Sequence, residues 1–72
     1  MDLGREGNKA AGIMMKILRE VQNITHEELS RRLDGIPIDY IIAIENGNKP
    51  MTYEFARKIS NILDVPISLF LK

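Results

Sequence analysis

Apolar residues recur at Ala11, Met14, Met15, Leu18 and Val21, every three or four positions between Lys9 and about Gln22. That spacing gathers them on one face of an amphipathic helix. Thr25 follows as an N-cap, and Glu28 three residues later completes a capping box. The helix it opens carries Leu29 and Leu33 inward and Glu27, Arg31 and Arg32 outward. It should end near Asp34-Gly35, where Gly35 can take the positive φ of a sharp turn. Pro37 suits the first turn of the next helix, since its missing N–H costs nothing there. The isoleucines of IDYIIAIE would also fit a strand. The segment lies between helical stretches, however, and runs into the stop pair Asn46-Gly47, so a helix to about Glu45 is expected. Thr52 can cap a helix bearing Phe55, Ala56, Ile59, Ile62 and Leu63, which Asp64-Val65-Pro66 breaks. Ile67, Leu69 and Phe70 then predict one last short helical turn. The expected fold is all-α, five helices around one core, with residues 1–8 a flexible arm and residues 9–72 a single domain.

A chain of 72 residues with 44% hydrophobic and 28% charged residues suits one small folded domain. Without cysteine it has neither disulfide nor thiolate metal site to support a small core, and a reducing compartment is expected. No apolar run approaches the roughly 18 residues of a membrane span. The start, MDLGREGNKAAG, has no apolar signal core, so the expected location is cytoplasmic. Formal net charge is zero, but its distribution is uneven. Residues 25–47 hold five acids and two bases, whereas residues 48–72 hold four bases and two acids.

Four motifs in order carry a resemblance: Leu18-Arg19-Glu20, ITHEEL at Ile24 to Leu29, Ile44-Glu45-Asn46-Gly47 followed by Pro50, and ILDVPISLF at Ile62 to Phe70. From about Met14 to Phe70 the chain resembles the phage Cro and repressor-like (XRE-type) helix-turn-helix family. The resemblance implies a five-helix repressor-like DNA-binding domain. Its third helix would be the recognition helix, and it would act as a homodimer on a two-fold operator. Within it, Arg19 and Glu45 match a structural ion pair between the first and third helices. A charge on an inward-facing side needs such a partner. His26 stands where the family usually has a Gln that touches a phosphate at a helix N-terminus. Asn46, Lys49 and Arg57 match positions that contact the DNA backbone. Asn46 serves equally as a helix C-cap, and Lys49 as plain surface charge. The resemblance also suggests a dimer, with Ile67, Leu69, Phe70 and Leu71 of the last helix and tail as its surface and Tyr53 beside them; the alternative is that these residues cap the core of a monomer.

Two departures from the family pattern bear on function. The loop between Leu33 and Ile36 holds one residue more than the usual motif, Asp34 or Gly35, which could tilt the third helix. Matching that helix puts Ile36, Ile41 and Ile44 in the core and Tyr40 at its edge. Pro37, Ile38, Asp39, Ile42 and Ala43 then point outward, as the residues that would meet DNA. Bidentate base reading needs polar side chains, whereas Ile and Ala can only touch a thymine methyl. The segment meant for DNA is also acidic, against the usual reliance on Lys and Arg for phosphates. Ile38 and Ile42 therefore have three readings: methyl contacts in a groove, an exposed apolar patch for another protein or a second copy of this chain, or burial of one of them by a rotated helix.

The expected function is a sequence-specific DNA-binding transcriptional regulator, a repressor acting on double-stranded DNA. The alternative is a helix-turn-helix scaffold that binds a protein partner through Ile38, Asp39 and Ile42 and does not read DNA. No catalytic constellation, cofactor motif or metal site is expected, since His26 is the sole histidine and no cysteine accompanies it.

Overall fold

The structure, a computed structural model, describes residues 6–71. It consists of α1 (Glu6–Val21), α2 (His26–Arg32), α3 (Ile38–Glu45), α4 (Tyr53–Leu63) and a single 3-10 turn, Ile67–Leu69. There is no strand among the described residues. The expected fifth helix is only this 3-10 turn. Pro66 enters it in an extended conformation (ψ 140°), and the following N–H groups reach back three residues, from Leu69 to Pro66 and from Phe70 to Ile67. Helix α1 starts at Glu6, three residues before its expected start, so the arm assigned to residues 1–8 overlaps it; residues 1–5 lie outside the described part.

All four helices stop in the same way. A residue in the left-handed region follows each one: Asn23 (φ 59°), Asp34 (φ 63°), Gly47 (φ 81°) and Asp64 (φ 60°). The next N–H then turns back five residues, Ile24 to Arg19, Gly35 to Ser30, Asn48 to Ala43 and Val65 to Ser60, at 2.8–3.0 Å. These are the long bonds of Schellman caps, which satisfy carbonyls the helix end leaves open. Three of the four use Asn or Asp, whose short polar side chains tolerate this conformation better than most. The starts of α2 and α4 are alike too: Thr25 Oγ1 accepts from the Glu28 N–H at 3.0 Å, and Thr52 Oγ1 from the Phe55 N–H at 3.1 Å. The Glu28 carboxylate turns outward to the neighbouring Arg31 and Arg32.

The core gathers Met15 from α1, Leu29 from α2, Ile41 and Ile44 from α3, and Ile59 and Leu63 from α4, all fully buried. The Tyr40 ring meets Phe55 edge-on at 5.8 Å between centroids. Gln22 Nε2 donates to the Leu63 carbonyl at 2.8 Å, tying the ends of α1 and α4 together. The buried face of α1 differs from the expected one. Ala11, Gly12, Met15 and Arg19 are buried, Met14 and Leu18 half-buried, and Val21 is exposed.

Gly12 explains the shift. A Cβ there would collide with the Ile44 carbonyl oxygen, so α1 and α3 touch backbone to backbone at this point. The obstacle is main chain, which cannot swing aside as a side chain would. Gly12→Ala is therefore expected to destabilise the domain by about 2–3 kcal/mol, in the range of overpacked cores. Gly47→Ala meets mainly the flexible Lys9 side chain and a positive φ, and should cost only about 1 kcal/mol. Thermal melts of the two variants against the parent check the ranking.

Candidate nucleic-acid interface

Helices α2 and α3 form the helix-turn-helix, and the link between them decides how α3 is presented. After the left-handed Asp34, Gly35 also has positive φ (82°), so both candidates for the extra loop residue lie in the left-handed region. Ser30 Oγ donates to the Ile36 carbonyl at 2.5 Å and ties the end of the turn back to α2. Pro37 is the N-cap of α3, one position ahead of its expected place inside the first turn. Its ψ of 138° is extended, and its carbonyl accepts from Tyr40 and Ile41.

At the other end of α3, the buried Glu45 carboxylate binds two other elements. Arg19 Nε of α1 donates to Glu45 Oε2 at 2.8 Å, in a pair whose side chains are 8% and 3% exposed. Arg19 Nη2 reaches Oε1 at 3.4 Å, while Nη1 donates to the Ile24 carbonyl at 2.8 Å. His26, the first residue of α2, places Nε2 3.0 Å from Glu45 Oε1. A carboxylate oxygen accepts, so Nε2 carries the ring proton and a neutral ring keeps only an acceptor at Nδ1. The Nε2 proton is thereby directed at Glu45.

The outward side of α3 has the expected membership. Pro37 and Asp39 are exposed, while Ile38, Ile42 and Ala43 are half-buried. Ile36 and Tyr40 pack on the core, whereas Ile38 and Ile42 are half-buried outside that cluster. Lys49, in the loop after α3, lies with Nζ 5.8 Å from the Tyr40 ring centroid. This cation–π contact holds a positive charge against α3, and no signal in the sequence order disclosed it. Asn46 is exposed and is the C-cap of α3, and Arg57 is exposed on α4. At the C-terminal end, Phe70 is buried in the core and Ile67 packs on it, leaving Leu69 exposed and Leu71 half-buried. Phe70 is thus part of the chain's own core.

Among the described residues, no group of three or more His, Cys, Asp or Glu side chains could hold a metal ion. No helix among them is long and apolar enough to cross a membrane.

Four short helices with α2, a tight turn and an outward-facing α3 define a helix-turn-helix domain. The helix-turn-helix family profile matches residues 15–70, well over half of the chain, and the protein belongs to this XRE-type family. The crystal structure of the DNA-binding domain of BldD has the same fold. It superposes with a TM-score of 0.79 at 18% sequence identity, covering 93% of this chain and 96% of that one. No curated protein matched the sequence.

The Glu45 junction gives a stability test. Arg19→Ala leaves a buried carboxylate without its main partner and should cost about 3–5 kcal/mol. His26→Ala removes one part-exposed hydrogen bond and should cost about 1 kcal/mol. Chemical denaturation of both variants gives the two values on one scale.

Proposed function

We propose that the protein is a sequence-specific DNA-binding transcriptional regulator, a repressor that reads its operator with α3. The observation that carries this reading is the two-sided construction of α3. Ile41, Ile44 and Glu45 hold the helix from behind, while Pro37, Ile38, Asp39, Ile42 and Ala43 stay outside the core. Family membership and the fold shared with the DNA-binding domain of BldD support a DNA-binding regulator.

Base recognition here is sparse and mostly apolar. Ile38, Ile42 and Ala43 suit thymine methyl groups, and Asp39 can accept from a cytosine N4. Phosphate contact falls to Lys49, Arg57 and the Asn46 side chain, with Lys49 best placed because the Tyr40 ring holds it beside α3. Repression follows from two copies occupying a two-fold operator and excluding polymerase. The C-terminal segment leaves Leu69 exposed and Leu71 half-buried as its candidates for meeting a second copy.

Binding to a mixed genomic DNA pool at low salt, with sequencing of the retained fragments, tests the reading. The expected result is enrichment of a two-fold-symmetric motif, altered or lost in an Asp39→Ala, Ile42→Ala variant. Lys49→Ala should instead weaken binding evenly across sequences and reduce the salt slope by about one. Absence of enrichment at every salt concentration would sink DNA reading and leave the Ile38, Asp39 and Ile42 face to a protein partner.

A further inference from the structure

The side of α1 turned away from the core carries a line of β-branched residues that the fold does not use. Ile13, Ile17 and Val21 are 52%, 50% and 71% exposed. Spaced four apart, they run along one face of the helix. At about 100° per residue, Gly12, Met15 and Arg19 fall on the opposite face, where α1 packs against α3. Single exposed apolar residues are ordinary, but an aligned set on a rigid helix is a continuous apolar surface.

The flanks of that line are unlike each other. Met14 and Leu18, half-buried against the core, lie along one side. Lys16 and Glu20, both exposed, lie along the other. We infer that this face pairs with the same face of a second copy, with the two α1 helices antiparallel and crossing near Ile17.

The charge pattern selects both the partner and the direction. An antiparallel two-fold pairing centred on Ile17 brings the two charged flanks to the same side. Lys16 of one copy then lies about 3 Å along the axis from Glu20 of the other, and the reciprocal pair forms by symmetry. Ile13 meets Val21 of the second copy, and Ile17 meets its own counterpart. A parallel pairing would set Lys16 and Glu20 against Met14 and Leu18, with no ion pair. The apolar patch is small beside a standard interface, so the dimer is a weak one that forms with rising concentration. Because α3 lies on the other side of α1, pairing leaves the outward face of α3 uncovered in both copies.

Sedimentation equilibrium of the full chain over a range of concentrations, without DNA, tests this. The expected result is a concentration-dependent monomer–dimer equilibrium that Ile17→Lys weakens at least tenfold. Lys16→Glu and Glu20→Lys should each weaken it severalfold, and combining them should restore the parent affinity, since the swap rebuilds both ion pairs reversed. Circular dichroism at a concentration where all variants are monomeric should show every variant folded, with Ile17→Lys and Lys16→Glu melting as the parent does and the variants carrying Glu20→Lys slightly lower, because the Glu20 carboxylate also lies 3.8 Å from Arg19 Nη2. A monomer at every concentration overturns the inference. So does a dimer that survives Ile17→Lys but is lost in Leu69→Lys, or a double charge swap that fails to restore pairing. None of these outcomes depends on whether the protein reads DNA.

Discussion

The buried carboxylate of Glu45 is the point on which the arrangement of the first three helices depends. An ionised group out of water is tolerated only when it is paired and hydrogen-bonded, and Glu45 receives Arg19 from α1 and His26 from α2. Arg19 also takes the Ile24 carbonyl, so the link between α1 and α2 is drawn into the same cluster. Such a cluster is a poor source of net stability, because desolvation offsets most of the attraction. What it supplies is position: any change in the angle of α3 would leave a charge unpaired in the interior. No buried side-chain nitrogen or oxygen among the described residues lacks a partner.

The opposite end of α3 is controlled by backbone conformation. Two successive left-handed residues, Asp34 and Gly35, turn the chain out of α2, and Ser30 holds the exit through the Ile36 carbonyl. An electrostatic clamp at the C-terminal end and a conformational one at the N-terminal end thus hold α3 from both sides. Between them Ile41 and Ile44 fill the core, and the outer face needs no internal role. Pro37, Ile38, Asp39, Ile42 and Ala43 thus stay outside the core.

Helix α1 shows a related division. Its inner side is built for close approach, with Gly12 against the backbone of α3, while its outer side exposes Ile13, Ile17 and Val21. Hydrophobic periodicity alone could not tell these sides apart. Met14, Met15, Leu18 and Val21 fit one stripe, and Ile13, Ile17 and Val21 fit another. The choice between them falls to Gly12 and Arg19, neither of which scores as a hydrophobic position. For His26 the resemblance to the family offered only a position, the place of a phosphate-touching Gln at a helix start. Only the proximity of Glu45, 19 residues away along the chain, shows where its N–H goes.

By itself the sequence determined the order of the four α-helices, the Thr caps of α2 and α4, the stops after α2, α3 and α4, and the family, but it counted a fifth helix that the fold does not form. These follow from local chemistry: Thr hydroxyls facing N–H groups three residues on, small polar or glycine residues where φ turns positive, and apolar spacing near 3.6. Its reach failed at the last segment, because Ile67, Leu69 and Phe70 have helical spacing too short a run to distinguish an α-helix from a 3-10 turn. The tertiary structure alone decided which face of α1 is buried, that His26 serves Glu45, that Lys49 rests on Tyr40, and that Phe70 belongs to the core. Each of these is a contact between residues distant in sequence. Such contacts depend on how close two backbones can come, and that distance is set by the packed whole rather than by any local pattern.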